Sequence, residues 1–176
     1  MKIVLLGYMS SGKSSVGKLL ARQLQYRFID LDQYISEQTQ MSISNIFAKK
    51  GELFFRKLEH KCLKEVLNHS KDDQIIIALG GGTPCYYNNM DIINEKDDVT
   101  SIYLKVNIEN LFNRLWREKE NRPLIAHYSD KEGLEEFIRK HLFERQFYYL
   151  QAKHNIEVSE LNIEEVAETI QMKINQ

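Results

Sequence analysis

Short apolar runs alternate along this chain with stretches whose apolar positions recur every three or four residues. Ile3 to Leu6 is a β-branched and aliphatic run that predicts a buried strand, and Val16, Leu19, Leu20 and Leu24 then share one helical face. Arg27-Phe28-Ile29 predicts a short strand ending at Asp30-Leu31-Asp32, followed by a helical segment from Tyr34 onward. Ser42, Ile43, Ile46 and Phe47 predict a short helix that Gly51 breaks. Phe54 or Phe55, Leu58, Cys62, Val66 and Leu67 return to helical spacing, and Lys71-Asp72-Asp73 reads as a solvated turn. Ile75 to Leu79 is too short for a lone helix and rich in isoleucine, as in a central parallel strand stopped by Gly80-Gly81-Gly82. Ile102 to Val106 predicts a strand, and Ile108, Leu111, Phe112 and Leu115 a helix. A polar, basic loop runs from Arg117 to Asp130. A long helix carries Leu134, Phe137, Ile138, Leu142 and Phe147-Tyr148-Tyr149. A short strand over Ile156 to Val158 and a helix with Ile163, Val166, Ala167, Ile170 and Ile174 complete the pattern. Strands alternating with helices predict an α/β fold, a three-layer α/β/α sandwich with a central parallel sheet of about five strands. No internal repeat or linker divides it, so 1–176 reads as a single domain.

Composition narrows the partners. A chain of 176 residues can bury roughly 70% of its unfolded surface and needs no staples. Its net charge of −1 provides no basic field for nucleic acid or an acidic membrane. No apolar run approaches the roughly 18–20 residues of a membrane span, and the first strand starts where a signal segment would lie. Cys62 and Cys85 read as free thiols of a reducing compartment, so the chain is expected to be cytoplasmic. The set Cys62, His60, His69 and Cys85 matches no common zinc spacing, and Asn68-His69-Ser70, formally a glycosylation sequon, has no meaning in that compartment.

The candidate chemistry begins at Gly7-Tyr8-Met9-Ser10-Ser11-Gly12-Lys13-Ser14, which fits G-x-x-x-x-G-K-[ST] between a predicted strand and helix. Glycines there let successive backbone N–H groups turn inward as an anion nest, and the helix start adds unpaired donors. Lys13 can reach β- and γ-phosphates, and Ser14 can place a hydroxyl on Mg²⁺. A Ser- and Gly-rich loop capping an ordinary helix is the bland alternative, but the strand–loop–helix order disfavours it. Asp30 and Asp32, two apart at a strand end, point the same way if extended. They can hold Mg²⁺ and accept a proton from a hydroxyl, or Asp32 can simply cap the next helix. Arg56, among aromatics and a carboxylate, can grip an anion in two-pronged fashion, although alone it would pass for a surface arginine. Three glycines at 80–82 exceed what a tight turn needs and suit a ligand pressed against backbone. Arg114, Arg117, Arg122 and Arg145 are candidates to neutralise a transferred phosphoryl group, with Arg122 held extended by Pro123 as in a lid. Open α/β sheets bind ligands beyond the carboxyl ends of their strands, where three of these features fall.

In order along the chain stand the phosphate loop with Val16-Gly17, then Phe28-Ile29-Asp30-Leu31-Asp32, Ser42-Ile43 with Ile46-Phe47, and Gly51-Glu52. Phe55-Arg56 with Glu59, Gly80-Gly81-Gly82, Arg122-Pro123-Leu124, and Arg145 followed by Tyr148 come next. With this set the chain resembles the shikimate kinase family, small P-loop kinases related to nucleoside monophosphate kinases, from Gly7 to about Tyr149. The resemblance implies ATP-dependent phosphorylation of shikimate at its 3-hydroxyl, within aromatic amino-acid biosynthesis. It implies that Ser10, Ser11, Gly12, Lys13, Ser14 and Ser15 hold the phosphates, that Ser14 and Asp30 serve Mg²⁺, and that Arg114 stacks near adenine. Asp32 would bind and help deprotonate the attacking hydroxyl, and Arg56 and Arg145 would hold the shikimate carboxylate. Backbone of Gly80, Gly81 and Gly82 would meet the ring hydroxyls, Phe47, Phe55 and Glu59 would line or brace the pocket, and Arg122 would meet the γ-phosphate. Lys13, Asp32 and Arg122 are then the catalytic set, in a monomer with an acceptor-binding region at about 31–60 and a mobile lid at about 114–130. Ser10 stands where many relatives have glycine, so the loop is expected to close with a negative φ there; Met41 stands where a turn glycine is usual. A kinase for gluconate or a nucleoside monophosphate should lack the Arg56–Arg145 pair and the triple glycine. A GTP switch would carry Asn-Lys-x-Asp, whereas Asn94-Glu95-Lys96-Asp97 misplaces the lysine, and Asp130-Lys131-Glu132-Gly133 fits D-x-x-G only after the lid.

Overall fold

The structure, a computed structural model, describes residues 1–68 and 74–175. The Lys71–Asp73 turn, His69 and the sequon therefore lie partly or wholly outside the described residues. Five strands, β1 (Lys2–Leu6), β2 (Arg27–Asp30), β3 (Ile75–Ala78), β4 (Val99–Lys105) and β5 (His154–Glu157), form one parallel sheet in the order β2-β3-β1-β4-β5. All five residues of β1 and all four of β3 are buried, which is why they read as continuous apolar runs. The exception is Lys2, buried within β1, whose Nζ donates to Asp98 Oδ2 at 2.7 Å.

Among the described residues, eight helices accompany the sheet: α1 (Lys13–Leu24), α2 (Leu31–Thr39), α3 (Ile43–Lys50), α4 (Glu52–Leu67), α5 (Asn89–Asn94), α6 (Ile108–Glu118), α7 (Lys131–Tyr149) and α8 (Ile163–Ile174). Parallel crossovers are right-handed. The β1→β2 connection runs one way along the sheet and the β2→β3, β3→β4 and β4→β5 connections the other, so α1 lies on one face and α4 to α7 on the opposite one. In keeping with this, α1 packs against α8, while α4 packs against α2, α3 and α5. The connections diverge between β1 and β3, and the crevice at that point opens at the strands' carboxyl ends.

Several boundaries differ from the sequence expectation. Helix α2 starts at Leu31, not near Tyr34, and its cap is Asp30, whose Oδ1 accepts from the N–H groups of Asp32 and Gln33 at 3.2 and 3.3 Å. Asp32 is thus neither a cap nor part of an extended pair; it sits in the first helical turn. Leu31 and Ile35, one turn apart and fully buried, drive this earlier start. Strand β4 begins at Val99, not Ile102. Arg117 belongs to α6, and a 3₁₀ turn at Lys119–Asn121 precedes the irregular stretch to Asp130. Helix α5 and the 3₁₀ turn Thr83–Cys85 have no counterpart in the sequence pattern, being too short to show a period. Gln40, at φ 54°, takes the left-handed position before Met41.

Candidate active site

A cleft of about 670 Å³ opens over the ends of β1, β2 and β3. On one side it is lined by Ser10, Gly12, Lys13, Ser14 and Ser15 of the β1–α1 loop. Gly12 adopts φ 94°, and a Cβ on Gly7 would lie 2.8 Å from the Leu104 carbonyl oxygen, so neither position admits another residue without strain. Ser11 is buried beneath this loop. Lys13 Nζ donates to the carbonyls of Gly7 and Tyr8, both at 2.8 Å, and burial lowers its pKa to about 8 against the raising pull of Asp32 and Asp30. Such a lysine is a cation fixed on the loop axis, held by dipoles instead of a carboxylate.

Ser10 overturns the expected negative φ. It adopts φ 60°, left-handed backbone in a residue with a side chain, which costs about 1–2 kcal/mol. Helix α6 holds it there: Arg114 Nη1 donates to the Ser10 carbonyl at 3.1 Å, and Ser10 Oγ donates to Glu118 Oε2 at 3.0 Å. The same Glu118 oxygen accepts from Arg122 Nη2 at 2.7 Å and Nε at 3.1 Å. Arg114, Glu118 and Arg122 all line the cleft. Leu161, Asn162, Ile163 and Glu164 close its far end. That loop gave the sequence no phosphate or carboxylate signature; only the sheet order brings it here.

The opposite wall holds Asp30, Asp32, Gly80 and Gly81. Ser14 Oγ donates to Asp30 Oδ2 at 2.7 Å, so a hydroxyl and a carboxylate converge beside the phosphate loop. This sparse, oxygen-only donor set suits Mg²⁺, which keeps most of its waters and takes one or two carboxylates. Asp32 has its carboxyl pushed up to about 6, first by burial and then by the charges of Glu59 and Asp30. A Cβ on Gly80 would stand 2.9 Å from Asp32 Oδ1 and 3.3 Å from Glu59 Oε1, so the two carboxylates flank one glycine.

Arg56 is only 8% exposed. Its Nη1 donates to Glu59 Oε2 at 2.8 Å, and Tyr86, Phe55 and Phe47 carry rings 4.1, 5.1 and 5.9 Å from its guanidinium carbon. Thr83 Oγ1 donates to Glu59 Oε1 at 2.6 Å, fixing the brace from behind. A Cβ on Gly82 would fall 2.7 Å from Arg56 Nη2, so that glycine is the space the guanidinium occupies. Arg145, on α7, has no carboxylate within 4.0 Å among the described residues. Arg56, Gly82 and Arg145 are set apart from the cleft lining. Tyr149, four residues after Arg145, is fully buried and its Oη donates to the Gly81 carbonyl at 2.5 Å. Among the described residues no group of three His, Cys, Asp or Glu side chains is placed to hold a metal.

A parallel five-stranded sheet, a phosphate loop on its switch point and the Asp30 carboxylate at the end of β2 define a P-loop phosphotransferase. The shikimate kinase family model matches residues 9–175, beyond the Tyr149 at which the sequence resemblance fades. Shikimate kinases of Flavobacterium johnsoniae and Flavobacterium psychrophilum are 48% and 44% identical, each over 96% of both chains. The solved shikimate kinase of Bacteroides thetaiotaomicron superposes with a TM-score of 0.91 at 34% identity, covering 100% of this chain and 99% of that one. That of Acinetobacter baumannii, in complex with shikimate, has a TM-score of 0.86 at 30% identity, covering 99% and 92%. The chain belongs to the shikimate kinase family.

Proposed function

We propose that this chain transfers the γ-phosphoryl group of ATP to the 3-hydroxyl of shikimate, giving shikimate 3-phosphate and ADP. The observation that carries the mechanism is Asp32: it lines the same cleft as Lys13, and no side chain or N–H among the described residues donates to its carboxylate. At neutral pH it is ionised yet more basic than an ordinary aspartate. It accepts the proton of the attacking hydroxyl as that oxygen bonds to phosphorus and the bond to the ADP oxygen breaks. General-base help of this kind is worth about 10²–10⁴-fold.

The backbone of Ser10 to Ser15 and the Lys13 ammonium cradle the phosphates, and Arg122 meets the γ-phosphate. Arg114 and the Leu161–Glu164 loop enclose the adenine. Ser14 and Asp30 would hold Mg²⁺, which, when bound, supplies charge neutralisation on the phosphate oxygens. Arg56 and Arg145 clamp the carboxylate of shikimate, with backbone of Gly80 to Gly82 against its hydroxyls. The acceptor region spans about 31–60 and the lid about 114–130 of a single domain. Free Cys62 and Cys85 agree with a cytoplasmic setting, and no helix among the described residues is long and apolar enough to cross a membrane.

The test is a coupled ADP-release assay with shikimate, gluconate and nucleoside monophosphates offered separately. Turnover on shikimate alone is expected. Turnover on another acceptor with none on shikimate would overturn the reading.

A further inference from the structure

His141, Arg145 and Tyr149 recur every four residues on α7 and so share one face. The two outer members are tied to the loops of the site. Tyr8 Oη and His141 Nδ1 share a hydrogen bond of 2.8 Å, with their rings edge to face at 5.5 Å. Tyr149 Oη donates to the carbonyl of Gly81. Both tyrosines are buried, at 1% and 0% exposure. Gly81 in turn rests on the phosphate loop, where a Cβ would lie 3.4 Å from the Met9 nitrogen and 3.7 Å from the Gly7 oxygen. The helix is therefore attached to phosphate loop and glycine turn at two points, roughly 12 Å apart along its axis. Arg145 lies midway between them.

The pairs are chemically suited to a fixed attachment. Burial pushes both phenols above their usual range, so they stay protonated. Burial and then Arg145 press His141 down to about 4, so it is neutral at pH 7 and does not repel the guanidinium one turn away. Arg145 itself is a long side chain with no carboxylate anchor among the described residues. Its reach is set by where its helix sits.

We propose that Tyr149 and the Tyr8–His141 pair are positioning residues for acceptor binding: they fix the register of α7 against the phosphate loop and thereby place Arg145 over the acceptor carboxylate. The inference rests on the acceptor role of Arg145 given above. Core packing alone would make the same rings bury area but would not need either hydroxyl.

Tyr149→Phe and Tyr8→Phe each remove one hydroxyl and keep the ring; Arg145→Met is the reference. Steady-state kinetics are run with shikimate and ATP varied separately. Each Phe variant should raise the shikimate KM about 5–20-fold, with kcat and the ATP KM within about twofold. In the Arg145→Met background neither should add a further loss, because each acts through that side chain. Losses that multiply with that of Arg145→Met, that fall equally on the ATP KM, or that are absent would overturn the inference and leave the proposed reaction standing. An unchanged shikimate KM in Arg145→Met would instead refute the role of Arg145, and the inference with it.

Discussion

Glu59→Gln isolates the electrostatics of the acceptor side. Glu59 is 1% exposed and stands between Arg56, which donates to Oε2 at 2.8 Å, and Thr83, which donates to Oε1 at 2.6 Å. Gln keeps the shape but deletes the charge and one acceptor: with its oxygen toward Arg56, its amide NH2 faces Thr83, whose hydroxyl then accepts instead of donating. The Arg56 bond then changes from charge-paired to singly charged, a loss of about 1–2 kcal/mol. Glu52, with Oε1 3.4 Å from both Nε and Nη2 of Arg56, and the three aromatic rings keep the guanidinium near its place, so the lower end of that range applies. The shikimate KM should rise roughly fivefold. The second consequence is on Asp32. Burial, the larger reason for its value of about 6, is untouched, while the Glu59 charge, the second reason, is gone. The acid limb of kcat/KM for shikimate should therefore move from near pH 6 to lower pH, since Asp32 accepts a proton only when ionised. The assay is ADP release followed from pH 4.5 to 8, with Glu52→Gln, on the exposed side of Arg56, as the control whose limb stays in place. A limb that does not move, or moves to higher pH, would show that Asp32 is not the group titrating in that profile.

Three further outcomes follow from the geometry. The folded pKa of Asp32, about 6, lies above the ordinary aspartate value of 3.8. Its proton-linked contribution is therefore full below 3.8 and lost as pH rises through 6, on the order of 3 kcal/mol. Asp32→Asn should lower turnover about 10²–10⁴-fold yet raise the urea midpoint more at pH 8 than at pH 5, and an equal gain at both would refute burial as the cause. Gly82→Ala would drive a Cβ to 2.7 Å from Arg56 Nη2, so the shikimate KM should rise about tenfold or more with the ATP KM unchanged; equal effects on both substrates would count against Arg56 as an acceptor residue. Ser10, at φ 60°, should gain roughly 1 kcal/mol of stability as Ser10→Gly and lose stability and ATP affinity as Ser10→Val, read by thermal melts with and without nucleotide; a Val variant as stable as the parent would refute strain at that position.

What the sequence made legible was periodic or local. The five strands announced themselves because β1 and β3 are buried on both faces, and the phosphate loop because its glycines and Lys13 are contiguous. The start of α2 was obscured because Leu31 completes the apolar run of β2 and also opens the helical face with Ile35; an extended aspartate pair and a capped helix start share one pattern there. Ser10 was misjudged because nothing within ten residues dictates its backbone: Arg114 and Glu118, which hold it, are 104 and 108 positions away. Tyr8 and His141 are 133 apart, and Tyr149 and Gly81 68 apart. Such pairs come together only through the strand order.

Besides Glu118 and Glu164 of the cleft, three carboxylates, Asp30, Asp32 and Glu59, gather beside Gly80 and the phosphate loop, and their hydrogen bonds assign them different work. Asp30 is occupied on both oxygens, by Ser14 on one and by the α2 N–H groups on the other, so it can lend an oxygen to a cation without leaving its place. Glu59 is likewise occupied on both, by Arg56 and Thr83, and can only hold the arginine. Asp32 receives no such donor among the described residues, yet it is fixed in the first turn of α2 and crowded by the charges of the other two. Of these three, a proton arriving from a hydroxyl in the cleft has one favourable destination. The helix cap at Asp30 is part of the reason: by starting α2 at Leu31 it turns Asp32 out of the strand and toward Gly80, where an extended continuation would have set the two aspartates side by side at the phosphate loop.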